Sequence, residues 1–454
     1  MFKKNNLNNL ILNSLIGIII FLLPTNFFLK FFENGAYVNG LQVDYLIPKL
    51  YLSDIFILSL FLIWSVEWWS KNKSKRNELW KKIYSYKKKF LQKKSWVLIL
   101  FIIFTLRQFW ANYPISSLAY LFRVIELGLF VKFLVKNKSR IYSELVEKSV
   151  IATLFFQSSV AIYQYVNQKT LIGYSLLGEP NLNNYIGISK SELYGIEKIL
   201  PYGTTAHPNL LGGFLAIYLL YLFNKTGWKS ISEFKSTVFI QTQSLVICLS
   251  IVTLFLTQSV SAIETFILGL CFIFYQKYSK KTEASLQKIF NLKNVSLIAL
   301  GFIFLSIISI NLLSKGYSKN QSLNRRNYLN VAALKMAKNN ILVGVGLNNF
   351  TSIVEEYSNN REVVRFVQPA HNIFLLFFAE TGILGLAVLG SSNKIFFKNR
   401  ASIFYRLRIL QKKPNNWWWI LVLLPIALLD HYFLTLNAGM LLLVFSAVFL
   451  SEAD

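Results

Sequence analysis

Cysteine, histidine and acid are all scarce in this chain, and each shortage excludes something. Of 454 residues only two are cysteines, Cys248 and Cys271, both within apolar stretches. They offer neither a disulfide framework nor the spacing of a thiolate metal site, and no cofactor or metal is expected. Aspartate occurs four times, and no Asp-x-Asp pair is present. Asp and Glu together number 21 against 48 Lys and Arg, for a formal charge of +27.

What the chain has is hydrophobic length. It is 54% apolar and 16% aromatic, and the apolar residues fall into blocks such as "TVFIQTQSLVICLSIVTLFLT" and "NVSLIALGFIFLSIISINLL". Blocks of about 20 residues span the hydrocarbon of a bilayer as helix. The expected fold is therefore all-α, a polytopic integral membrane protein. About twelve transmembrane helices are expected, at 10–29, 51–69, 95–110, 116–135, 148–166, 208–223, 237–256, 259–275, 295–314, 371–390, 417–435 and 436–450. The first is read as a retained span, because its long apolar run carries no small-residue cleavage site.

The positive charge has a topological cause. Its densest run, "KNKSKRNELWKKIYSYKKKFLQKK" (Lys71–Lys94), lies between two apolar blocks, where cytoplasmic loops collect Lys and Arg. With both termini cytoplasmic, the inner segments hold about 31 basic residues and the outer ones about 13, as that rule requires. No nucleic-acid partner is expected. The outer side then has three long segments, 30–50, 167–206 and 315–370. We divide the chain at 237, into N-terminal helices (1–236) and a C-terminal membrane domain (237–454) that includes the 315–370 loop.

Costly polar residues mark candidate sites. His207, His371 and His431 all map to the outer side. His207 precedes Pro208 and would also serve as a helix cap. His431 beside Asp430 would also suit a wetted interface. The segment Lys315–Asn340 has six basic residues and no acid, and positive-inside sorting cannot explain an outer segment. Within it Leu329, Ala332, Ala333 and Met336 repeat at helical spacing, predicting a short amphipathic helix on the membrane surface. Arg325 and Arg326, one turn before, offer forked donors that suit a diphosphate. Anionic membrane lipids would attract the same charges. Glu380 lies deep in the tenth span, nine residues from His371 and on the opposite helix face. A charge at that depth needs a partner, and Arg123 in the fourth span is the expected one, with Glu126 or Glu264 joining.

The C-terminal half resembles the O-antigen ligase and O-antigen polymerase family of bacterial envelope glycosyltransferases. The resemblance runs through "LTQSVSAIETFILGL" (Leu256–Leu270), "RRNYLNVAALKMAKNNILVGVGLNNF" (Arg325–Phe350) and "HNIFLLFFAETGILG" (His371–Gly385). In the last, a His-Asn pair (His371, Asn372) is followed by Glu, Gly and Gly at the family's spacing. "AHPN" and "DHY", around His207 and His431, also occur in members.

The resemblance implies metal-independent transfer of a glycan from undecaprenyl diphosphate to a lipid or saccharide acceptor hydroxyl, at the outer face of the inner membrane. His371 would be the catalytic base or would position the acceptor. Arg325 or Arg326 would hold the diphosphate, and His207, His431 and Asn372 would contact substrate. Metal-dependent relatives in lipid-linked glycosyl transfer use clustered acids, which this chain lacks. Ser259-Val260 stands where many members have Ser-Arg, so the arginine pair suffices, or Arg107 or Lys315 compensates. The competing reading is a transporter of a small solute or anion, since buried Arg and Glu would suit that too.

Overall fold

The computed structural model describes residues 2–71, 96–183, 187–193, 196–226, 238–278, 321–358, 360–396 and 418–450. The expected span at 295–314, and Lys315 with it, lies outside these. Every other expected span carries helix. Among the helices, in chain order, are α1 (Phe2–Leu22), α2 (Leu52–Lys71), α3 (Trp96–Trp110), α4 (Pro114–Lys136), α5 (Ser143–Asn167), α6 (Pro208–Thr226) and α7 (Val238–Leu256). They continue with α8 (Val260–Tyr278), α9 (Gln321–Asn339), α10 (Ile373–Phe396), α11 (Trp418–Leu429), α12 (Tyr432–Thr435) and α13 (Asn437–Leu450). Among the described residues, Leu52–Ser70, Ser143–Asn167 and Ile373–Ser391 are long and apolar enough to cross a membrane, and six further apolar helices are shorter. The protein is an integral membrane protein.

Helix α6 is the axis of the bundle. Leu210, Leu211, Leu215, Ile217, Leu219 and Leu220 are all buried, so every face of the helix meets protein, which sets it at the centre of the bundle. Around it one continuous core takes residues from α1, α4, α5, α7, α8, α11 and α13. The segment between α1 and α2 contributes short antiparallel pairs, among them β1 (Phe28–Lys30) with β2 (Lys49–Tyr51), which places Lys30 opposite Lys49. A second hairpin, β3 (Lys190–Leu193) with β4 (Ile196–Ile199), precedes α6.

Two expectations are corrected here. Arg123 does not pair with Glu380. It meets Asp54 of α2 at 2.5 Å and Glu126, one turn away, at 2.8 Å. Asp54 was overlooked because it begins its span, a place where a carboxylate reads as a helix cap. It does that too, accepting from the Tyr51 backbone N–H at 2.8 Å. The second correction concerns α9. Leu329, Ala332, Ala333 and Met336 do form one face, but that face is wholly buried against Leu376 and Ala379 of α10 and against Phe350. That face packs on protein, and the apolar residues of α9 that stay exposed are others, Tyr328, Val331 and Leu334.

Glu380 serves the backbone instead. Helix α10 is interrupted at Gly382, where φ is 58° and ψ −159°. The segment after α9 inserts into the break. Val345 donates to the Ala379 carbonyl at 3.1 Å and Gly346 to that of Glu380 at 2.9 Å, while Ile383 and Leu384 donate to Ile341 and Leu342 at 2.9 Å. These bonds replace those that the interrupted helix lacks, which hydrocarbon would not supply. The Glu380 carboxylate then accepts from the Phe350 N–H at 3.2 Å, with the N–H groups of Asn348 and Asn349 also directed at it.

The Arg123–Asp54 pair gives a first test. Removing one partner of a buried ion pair strands the other charge, at a cost of about 3–5 kcal/mol. Arg123→Met is expected to lower the thermal midpoint of detergent-solubilised protein sharply. Glu380→Gln, whose amide oxygen still accepts N–H bonds, should lower it much less. Equal losses would contradict this division of roles.

Candidate functional site

The three long connecting segments close over one cavity of ≈ 720 Å³. Its wall includes Tyr45 and Lys49 from the first segment, Ser189 from the second with His207 just after it, and Arg325 and Arg326 on α9. His371, Asp430 and His431 complete that end of the wall. The three histidines come together because each sits where a helix starts or stops. His207 precedes α6, His371 precedes α10, and His431 lies in the gap between α11 and α12. That gap also means that the expected span 417–435 is not one helix: Asp430 is extended, at φ −140° and ψ 155°.

His207 does cap α6. Its Nδ1 accepts from the Asn209 N–H at 3.1 Å, so Nε2 carries the proton and donates to Ser189 Oγ at 3.0 Å. His431 stacks edge-on between two rings, with Tyr45 at 5.6 Å and His371 at 4.8 Å between centroids. Its Nδ1 lies 2.5 Å from the Thr435 hydroxyl. His371 differs from both: its Nδ1 is buried and has no hydrogen-bond partner among the described residues.

Arg325 and Arg326, adjacent in sequence, are held differently. The Arg325 guanidinium lies 4.5 Å from the centroid of Phe366. Arg326 donates through Nη1 to the Leu429 carbonyl at 3.2 Å, and its Nη2 is 3.9 Å from Asp430. Asp430 is itself buried. It accepts from Asn209 Nδ2 at 2.8 Å and from the Ser261 hydroxyl, joining the starts of α6 and α8.

The electrostatics keep the imidazoles neutral. Burial, followed by the fields of His431, Arg326, His207 and Arg325, holds His371 well below the usual histidine range. Burial, then His207 and Arg326, pushes His431 down to about 3. His207 is exposed at the cavity; loss of solvation there pushes it down to about 4, with Asp430 opposing the shift and Arg326 adding to it.

These shifts fix the sign of a pH effect. The unfolded chain takes up protons below about pH 6.5, the ordinary histidine value. The folded chain resists until near pH 3–4. Stability is thus full above about pH 6.5 and declines as pH falls through that window. The thermal midpoint of the solubilised protein should fall between pH 6.5 and 4.5, and fall less for His431→Gln. A midpoint independent of pH, or identical slopes, would refute it.

Other candidates lie elsewhere. Asn372 is not on the cavity wall; its Oδ1 accepts from the N–H groups of Phe374 and Leu375 at 3.0 and 3.1 Å, capping α10. Arg107 is also off the wall, donating to the Gly344 carbonyl at 2.9 Å. Arg123 reaches the wall while paired with Asp54, whereas Glu380 does not. Sequence reasoning overlooked Lys49, Lys190 and Asp430 as wall residues. Only "DHY" hinted at the last, and nothing in a lone basic residue at the end of a loop (Lys49) or within one (Lys190) singles out the lysines.

Residues 245–390 match the O-antigen ligase family. This part of the chain is an O-antigen ligase domain. None of the curated proteins compared with the chain matches it. The O-antigen ligase domain contains Arg325, Arg326 and His371, whereas His207, Asp430 and His431 lie to either side of it. The cavity is therefore lined by the matched domain and its flanks together.

Proposed function

We propose that this protein transfers a glycan from an undecaprenyl-diphosphate carrier to an acceptor hydroxyl, at the outer face of the inner membrane, with both termini cytoplasmic. The supporting observation is the meeting of two arginines and three neutral histidines on one cavity. An anionic leaving group needs fixed positive charge, and an attacking hydroxyl needs a neutral base. Both are present on one wall.

In the step we envisage, the acceptor oxygen attacks the anomeric carbon of the donor. The bond from that carbon to the diphosphate oxygen breaks, and the electron pair leaves with the diphosphate. The arginines offset its growing charge, which preorganised donors do without rearrangement. The imidazole of His371 takes the acceptor proton. His207 and His431 flank this site, the former through the cap on α6 and the latter through ring contact with His371. Walls drawn from both the N-terminal helices and the C-terminal domain support a single catalytic unit. A polar cluster at helix ends also fits transfer at a membrane surface better than passage of a solute through midplane.

Surface polysaccharide from cells lacking the gene tests the reading. Loss of all lipid-attached long chains identifies a ligase, and attachment of single repeats identifies a polymerase. A gel profile identical to that of the parent would overturn the proposal.

A further inference from the structure

Asn437, the first residue of α13, differs in kind from the cations and imidazoles of the cavity. It is only 5% exposed, it lines the wall, and its Oδ1 has no hydrogen-bond partner among the described residues. The amide is not free to turn that oxygen away. The Ser53 hydroxyl points at Asp54 Oδ1, 3.4 Å off, so its oxygen is left to accept from Asn437 Nδ2 at 3.1 Å. With the nitrogen fixed on that side, the other side of the amide is an acceptor. Helix α13 also starts here, and its N-cap, Leu436, has no side-chain oxygen for the first-turn N–H groups. Leu436 and Asn437 both line the cavity, so an acceptor oxygen and backbone donors lie together at the start of α13.

The charges around this point are already answered. Of the cations on the wall outside α9, Arg123 is paired with Asp54, Lys49 with Asp44 and Lys190 with Glu197. A ligand here meets no uncompensated charge, but it can donate one hydrogen bond and accept others. An alcohol does both, whereas a carboxylate only accepts and an ammonium only donates. Ring faces are close by. The wall includes Tyr51, whose ring centroid is 5.4 Å from the Arg123 guanidinium, and Tyr120, whose hydroxyl donates to the Leu434 carbonyl at 2.6 Å. Aromatic walls with a few fixed polar groups are the usual make-up of a small-molecule site.

We propose that the start of α13 is a subsite for an uncharged sugar ring. Asn437 Oδ1 accepts from one of its hydroxyls, and Ser53 is the positioning residue that holds the amide in that orientation. This deepens the glycan-transfer reading above and rests on it for the sugar's being a substrate. The location suits the role. Thr435, two residues earlier, has its hydroxyl 2.5 Å from His431 Nδ1, so the short helix α12 carries the wall from the imidazoles to Asn437. Both Asn437 and Ser53 lie outside the matched residues 245–390, which puts the choice of sugar in the flanks of that domain.

The test uses the full chain in lipid nanodiscs, with the methyl glycosides of glucose, galactose and N-acetylglucosamine as probes and saturation-transfer NMR as the readout. At least one probe is expected to bind the wild type saturably. Asn437→Ala should weaken that binding by about tenfold, the scale of one hydrogen bond lost at a buried group. Ser53→Ala should weaken it by less than about threefold, because the acceptor oxygen remains. A role confined to tying α2 to α13 would give equal effects, since either change breaks the same bond. In membranes a transfer assay then names the source of the ring. A KM raised by Asn437→Ala for the lipid-linked donor alone assigns the subsite to the donor glycan, and one raised for the acceptor alone assigns it to the acceptor.

Absence of saturable binding to the wild type, or equal losses in the two variants, overturns the proposal; continued glycan transfer by the same chain leaves the transfer reading standing. Tighter, Asn437-dependent binding of methyl glucuronide overturns the uncharged class. If Asn437→Ala does not accumulate, Leu436→Trp takes its place by adding bulk to the same part of the wall, and undiminished binding there overturns the subsite. Glycoside binding by a chain whose deletion leaves surface polysaccharide unchanged overturns the transfer reading and keeps the sugar site.

Discussion

His371→Ala is expected to accumulate in the membrane at the normal level and to transfer glycan at a rate reduced by about 10²–10⁴-fold, the usual contribution of a general base. Accumulation should be normal because the ring holds little of the fold together. Its Nδ1 has no partner among the described residues, and its ring contact is with His431, which keeps Tyr45 on its other side. The loss should fall on kcat, since the donor-binding arginines remain. In the wild-type chain the acid limb of kcat/KM should lie below pH 6.5, because burial and the neighbouring cations keep the ring neutral there. Donor-saturation and pH profiles on membranes check both statements. Full activity in the alanine variant would remove His371 from the chemistry.

The largest structural effect is expected at Gly344. Its φ is 63°, and a Cβ there would lie 2.2 Å from the Glu380 carbonyl carbon. Neither chain can move aside, because the two are hydrogen-bonded across the break in α10. Gly344→Ala must expel the inserted segment, which strands the backbone groups of both strands and undoes the bonds at Glu380. A loss above about 4 kcal/mol is the scale of such combined strain and unsatisfied polarity. The solubilised variant should be aggregated or absent by size-exclusion chromatography. Gly390→Ala is the control: it lies on α10, the helix that receives the insertion, and nothing comes within 4 Å of a Cβ placed there. Monodisperse Gly344→Ala protein would show that the insertion is not needed.

The helices were legible because hydrocarbon leaves the backbone one local solution, and a block of about 20 apolar residues announces it. The face of α9 was legible for the same local reason. What covers that face was not, since helical spacing gives a side and says nothing of the neighbour. Arg123 shows the limit most clearly. Its cost in the membrane was readable, but two carboxylates were within reach of any sensible topology, and the choice between Asp54 and Glu380 is made by packing. Glu380 was read as a charge in need of a counter-charge. Its partners are backbone N–H groups, which no side-chain inventory displays. The histidine cluster was half visible: all three residues fell on one side, while the gap after Leu429 that turns His431 toward His371 had only the letters "DHY" to mark it.

The bond between Asn437 and Ser53, 3.1 Å long, joins residues 384 positions apart, and Asn209 and Ser261 likewise find Asp430 only at the far end of the chain. During synthesis those early polar groups must enter the bilayer long before their partners are made. The nascent protein therefore carries an unsealed cavity until Asp430 and Asn437 have been made, and those residues act as a keystone. A premature stop before Asp430 would leave every earlier helix present and the chamber unbuilt, a natural target for membrane proteolysis.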